Sequence, residues 1–168
     1  ASKEIDALTA RIGAERILDY CGNALTSQSV GPKILWLKRN RPDIFAKTHK
    51  ILTSTSYLVF RLTGKFVIDH YTAANSAPLY SAERRAWSDE LASDIIPLER
   101  LPDIAWTTDI VGTITAKAAK ETGLAEGTPV ICGTVDAAAE AISVGVLEPR
   151  DMMLMYGSTI FIIAVTSA

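Results

Sequence analysis

Apolar Ile5, Leu8, Ile12, Ile17 and Leu18 recur near helical spacing between Lys3 and Tyr20, and Gly22-Asn23 supplies a stop, so the pattern predicts a first helix there. Pro32 suits a first helical turn and Ile34, Leu35, Trp36 and Leu37 follow it, which predicts a second helix over 32–40 that Pro42 ends. A short helical piece is expected from Pro42 through Lys47, and another over 53–62, where Tyr57, Leu58, Phe60 and Leu62 precede Gly64. After Gly64 the texture changes. Residues 66–68 read as a strand, 69–78 as a loop of small and polar residues, 87–96 as a helix and 97–102 as a turn. Residues 110–115 alternate as a strand does, and 116–122 form a helix ended by Gly123. The apolar run 129–132, bounded by Gly127 and Gly133, reads as a short strand, and the Ala-rich stretch 136–144 as a helix. Strands over 152–156 and 160–166, joined at Gly157-Ser158-Thr159, complete an α/β pattern of helices around a mixed sheet with no internal repeat.

The joint between strand 129–132 and helix 136–144 carries the most pointed chemistry. It delivers Asp136 to the positive end of a helix dipole, an arrangement that suits a proton acceptor. Phosphoryl transfer to an alcohol asks one group to take the hydroxyl proton, and Asp136 is a candidate for it. The alternative is a helix N-cap, a position that Asp fills well. Gly157-Ser158-Thr159 offers backbone N–H groups and two hydroxyls suited to phosphate oxygens, or else an ordinary hairpin turn. Gln28 lies in a polar loop just before the Pro32 helix, where its side chain could reach a polyol, or where it simply meets solvent. Trp36, Trp87 and Trp106 fall in contexts that favour packing over stacking on a sugar.

At 168 residues and 48% hydrophobic, the chain can bury an ordinary core. A net charge of −2 and scattered basic residues argue against nucleic acid as a partner, and the run Lys38-Arg39-Asn40-Arg41 suits the solvated C-terminal end of a helix. The longest apolar run, Ile160 to Val165, is strand-sized, so no membrane span is expected. Cys21 and Cys132 are too far apart in sequence for a metal-ligand pair, His49 and His70 lack metal-site spacing, and no metal-ligating residue is assigned. Two lone cysteines fit a reducing, cytoplasmic setting. The start without Met and the stop just after an apolar strand suggest a fragment.

Taken in order, the motifs resemble the FGGY family of carbohydrate kinases. They are Gly31-Pro-Lys-Ile-Leu-Trp-Leu-Lys38, Leu62-Thr-Gly64, Ile68-Asp-His-Tyr-Thr-Ala-Ala-Asn-Ser76, Trp87-Ser-Asp-Glu-Leu91, Val111-Gly-Thr113, Gly123-Leu124, Gly127-Thr-Pro-Val130, Gly133-Thr-Val-Asp136-Ala and Tyr156-Gly-Ser-Thr159. The resemblance implies part of an actin-like, ribonuclease-H-like fold, with residues 1–147 the rear portion of the first lobe and 148–168 the opening hairpin of the second. It implies a sugar kinase using ATP and Mg²⁺, with Asp136 as general base, Gln28, Asp136 and Ala137 at the sugar, and Gly157, Ser158 and Thr159 near the ATP phosphates. A homo-oligomer is compatible with it.

The departures are as informative. The family's N-terminal phosphate loop and its late glycine-rich adenosine site have no counterpart in these residues, so the fragment is not expected to turn over alone. Ala137 stands where glycerol-kinase-like members carry Gln and many xylulokinase-like members Asn. Val-Asp-Ala is more similar to ribulokinase-like members and favours a ketopentose or related sugar over glycerol. Gly-Ser-Thr replaces the usual Gly-Thr-Ser. Ala137 and the altered turn motivate the alternative, a non-catalytic sugar-binding or regulatory protein on the same fold. A generic nucleotide-binding domain lacks support, because neither Gly-x-Gly-x-x-Gly nor Gly-x-x-x-x-Gly-Lys-Ser/Thr occurs.

Overall fold

In a computed structural model, which describes residues 1–157 and 160–167, the chain divides into two compact units, Ala1–Gly133 and Thr134–Ala168. The first unit opens on two helices, α1 (Ser2–Ile12) and α2 (Ala14–Cys21), where the pattern predicts one. The break falls at Gly13, whose φ of 97° takes the chain out of the helical region, so Leu8 and Ile17 reach buried clusters from two axes, while Ile5 is only half-buried. Helix α3 (Val30–Asn40) starts earlier than Pro32 suggests and is followed by α4 (Pro42–Lys47) and α5 (Ser54–Thr63). The Thr53 side chain caps α5 by accepting the Ser56 N–H, and Gly64 closes it in the left-handed conformation. Leu8, Ile34, Leu35, Phe45, Leu79, Ile95 and Ile96 form the main core.

Strand β1 (Val67–Asp69) runs directly into helix α6 (His70–Ala74). A short hairpin of β2 (Tyr80–Ser81) and β3 (Ala86–Trp87) follows, in place of the start of the helix expected over 87–96. Trp87 pairs with Tyr80 across that hairpin and donates its indole N–H to the Pro102 carbonyl at 2.6 Å. The segment after it proceeds by successive turns, with Ala92 N–H bonded to the Asp89 carbonyl and Ile95 N–H to that of Ala92. Leu91, Ala92, Ile95 and Ile96 are buried while Ser93 and Asp94 are exposed, a spacing that a helix would also satisfy, so it is the commitment of Trp87 to the hairpin and to Pro102 that displaces the start of the expected helix. A 3₁₀ turn (Leu98–Arg100) leads to β4 (Asp103–Ala105), which pairs in parallel with β1 in the register Asp69 to Ala105. Strands β5 (Ile110–Thr113) and β6 (Pro129–Ile131) pair antiparallel around α7 (Ala116–Thr122). Val59 of α5, Val67 of β1 and Cys132 close a second core between these elements.

The second unit consists of α8 (Asp136–Ser143) and a hairpin of β7 (Met152–Tyr156) and β8 (Ile160–Ala164). Alternation sorts the hairpin into two faces. Met153, Phe161 and Ile163 pack with Val165 against Ala141 and Val146. Met152, Leu154, Tyr156, Ile160 and Ile162 lie on the other face and are exposed, Tyr156 at 80%.

Both cysteines are free and buried, Cys21 at 1% and Cys132 at 2% exposure. Burial pushes both thiols up, from 9.0 to about 11, with Asp69 and Asp109 adding to the effect at Cys132. A raised folded-state value means stability that is complete below pH 9 and is lost as the pH climbs from there toward 11, because only the unfolded thiols ionise in that window. Native protein at pH 8 is therefore expected to resist iodoacetamide at both positions and to take two labels once denatured, as read by intact mass. Rapid labelling of either thiol in the native state would contradict this burial.

Candidate active site

The strand-to-helix joint around Asp136 is built in stages. Strand β6 ends at Ile131. Cys132 then donates its N–H to the Asp109 carbonyl at 2.9 Å, and Gly133 donates its N–H to the Thr107 carbonyl at 3.0 Å. Gly133 has φ +72°, and a Cβ there would stand 3.2 Å from Thr55 Cγ2, so both backbone and space call for glycine at this turn. The division between the units falls immediately afterwards.

Asp136 is the first residue of α8, and Val135 occupies the N-cap position. This corrects the N-cap alternative for Asp136. Its Oδ1 accepts the Ala137 N–H at 2.8 Å, next door in sequence, and the side chain is exposed. A carboxylate so placed lies in the first turn, where the helix N-terminus favours negative charge, without being committed to closing the helix from outside. Ala137 is half-buried behind it.

Gln28 belongs to the first unit. Its loop is held through the backbone. Thr26 N–H donates to Ser29 Oγ at 2.9 Å, Gln28 N–H to Thr26 Oγ1 at 3.2 Å, and Lys33 Nζ to the Gln28 carbonyl at 3.2 Å. These bonds fix the turn and leave Gln28 exposed. Gly157 follows β7 at the exposed end of the hairpin, while Ser158 and Thr159 lie outside the described residues. The structure thus places Asp136, Ala137 and Gly157 in one unit and Gln28 in the other.

One polar cluster escaped the sequence pattern, which reads 69–78 as a loop. Asp69 is 3% exposed at the end of β1, and its Oδ2 accepts the Thr72 N–H at 3.4 Å as the cap of α6. Thr107 Oγ1 donates to the same oxygen at 3.5 Å. Beside it His70 Nδ1 lies 2.9 Å from the Tyr80 hydroxyl, and the His70 ring packs on Trp106, 4.3 Å between centroids, with the Arg85 guanidinium over the indole. The available signal was Asp-x-x-Thr directly after an apolar triplet, a cap spacing. Trp87 is half-buried, and Trp36 and Trp106 are exposed, Trp106 with the His70 ring and the Arg85 guanidinium against it.

Comparison with known proteins supplies the context for this geometry. Residues 1–143 match the N-terminal domain of the FGGY family of carbohydrate kinases. A xylulose kinase of Escherichia coli strain K12 is 33% identical over 160 residues, which is 94% of this chain and 32% of that protein. An autoinducer-2 kinase of Yersinia enterocolitica is 28% identical over 94% of this chain and 30% of its own length. The crystal structure of xylulose kinase from Rhodospirillum rubrum superposes with a TM-score of 0.91 at 30% identity, over 98% of this chain and 34% of that one. The chain therefore spans about a third of the length of these relatives. The architecture is part of the actin-like fold of sugar kinases. With 143 of its 168 residues matched by the family's N-terminal domain, the chain belongs to the FGGY family of carbohydrate kinases.

Proposed function

We propose that the intact protein transfers the γ-phosphoryl group of ATP to a sugar hydroxyl, with a ketopentose such as xylulose as the favoured acceptor and Asp136 as the general base. The observation that carries this reading is the exposed carboxylate of Asp136 at the start of α8, inside the segment that matches the family. The relatives named as xylulose kinases support the choice of a ketopentose. In the reaction the acceptor oxygen bonds to the γ-phosphorus as the bond from phosphorus to the bridging oxygen breaks. ADP departs, and Asp136 accepts the hydroxyl proton.

In this reading Gln28 and Ala137 contact the sugar, Ala137 through backbone and methyl where a longer side chain would offer an amide. Gly157, Ser158 and Thr159 approach the phosphates. Residues 1–147 belong to the first lobe and 148–168 open the second. The β7–β8 hairpin buries one face against Ala141 and Val146 and leaves its other apolar face bare. ATP would be used with Mg²⁺. Among the described residues no group of three or more His, Cys, Asp or Glu side chains is arranged to hold a metal ion. No helix among the described residues is long and apolar enough to cross a membrane. Two free buried cysteines fit a cytoplasmic setting.

A panel of ketopentoses, aldoses and polyols, assayed with ATP and the intact protein, tests the proposal. The expected result is the highest kcat/KM for a ketopentose, with one sugar phosphate formed per ADP. Sugar binding without any phosphate transfer would favour the non-catalytic alternative that Ala137 motivates.

A further inference from the structure

We propose that Asp69 is a positioning residue for the chemistry assigned to Asp136, acting through Thr107 to fix Gly133, the last residue of the first unit. The inference rests on the kinase reading above and on a chain of contacts within that unit. Because β1 and β4 are parallel and in register, the segments leaving both strands emerge at one end of the pair, as ligand-bearing loops of parallel strands do. Asp69 ends β1, and the turn 106–109 follows β4.

That turn is closed on itself. Trp106 N–H donates to Asp109 Oδ2 at 2.8 Å, and Asp109 N–H to the Trp106 carbonyl at 3.0 Å. Its two outward carbonyls, those of Thr107 and Asp109, accept the N–H groups of Gly133 and Cys132. The strand end that leads to Asp136 is therefore clamped by two backbone hydrogen bonds to the turn. The turn is tied to β1 by the Thr107 hydroxyl on Asp69 Oδ2. Capping α6 alone does not require a carboxyl group here, since Ser would cap a five-residue helix as well without a buried carboxyl to desolvate. A shorter cap would not span to Thr107, which the Asp69 carboxylate reaches.

The test uses the intact protein with Asp69→Ser, Asp69→Asn and Thr107→Val. Asp69→Ser keeps the cap and loses the reach, Asp69→Asn keeps both, and Thr107→Val removes the hydroxyl at nearly constant shape. The expected result is a fall in kcat of about tenfold or more for Asp69→Ser and Thr107→Val, with KM for sugar and for ATP within about twofold, and near-parent kcat for Asp69→Asn. Amide exchange at Cys132 and Gly133 is expected to quicken about tenfold in the same two variants. A merely structural role would lower the melting temperature without that split between kcat and KM. Parent-like kcat, or parent-like exchange at Gly133, in both Asp69→Ser and Thr107→Val would overturn the coupling. A parent protein with no transferase activity would overturn the kinase reading and the catalytic part of this one, an outcome distinct from slow exchange in active variants.

Discussion

Gly31→Ala is expected to destabilise the fold by about 3 kcal/mol, enough to cut the yield of soluble protein. Gly31 is the second residue of α3 and is buried. A Cβ added there would collide with the Ala77 carbonyl oxygen and stand 2.9 Å from Pro78 Cδ and 3.1 Å from the Ala77 carbonyl carbon. These are backbone and ring atoms, which cannot swing aside as the end of a long side chain can. Relief would require α3 to move away from residues 77–78, yet the Val30 N–H is tied to the Asn75 carbonyl at 2.9 Å, and Ile34 and Leu35 on the same helix are 3% exposed in the main core. Helix propensity pulls the other way, since Ala is better than Gly by at most about 1 kcal/mol. The clash outweighs that gain, and the net sign is destabilising. Urea unfolding checks it through a lowered midpoint at unchanged slope. A midpoint equal to or above the parent's would mean that the approach of α3 to residues 77–78 is looser than described.

Elements built on an uninterrupted pattern were legible in the sequence. Helix α7 was readable from its Gly123 stop, β7 and β8 from their apolar runs, and α8 from the Ala-rich stretch after Gly133. Elements decided by tertiary packing were not. The pairing of Trp87 with Tyr80 and the bond from its indole N–H to the Pro102 carbonyl override a plausible helix over 87–96 at its start. A two-residue strand such as β2 has too few positions to show a period at all. Gly13 reads as tolerable within a helix, and only its positive φ reveals the break between α1 and α2. At the candidate site, the sequence pointed to Asp136 but left its relation to the helix end open. Val135 at the N-cap resolves that point, because the backbone enters the helix one residue before the carboxylate. Asp69 was legible only as a cap, for a different reason. Its significance lies in Thr107, 38 residues away, and in the parallel pairing that brings the two together.

Replacing Asp136 is expected to have the largest effect on activity. The neighbouring Ala137 N–H that Asp136 Oδ1 accepts can be accepted equally by an Asn side chain, so Asp136→Asn is expected to keep the start of α8 and the stability of the protein. Asn cannot take a proton from an alcohol at neutral pH, and the loss of a general base costs about 10²- to 10⁴-fold in rate. At about 1.4 kcal/mol per factor of ten, that is roughly 3–5 kcal/mol of transition-state stabilisation, larger than any binding contact Asn would disturb. The loss should fall on kcat, with sugar and ATP affinities nearly unchanged, because the proton moves only as the phosphoryl group transfers. The most direct measurement is a single turnover of the intact protein and its Asp136→Asn variant, both saturated with ATP and a ketopentose that the parent phosphorylates, following sugar phosphate formed. The account predicts bound ligands and a rate at least about a hundredfold slower in the variant. Sugar phosphate formed at the parent's rate would contradict it.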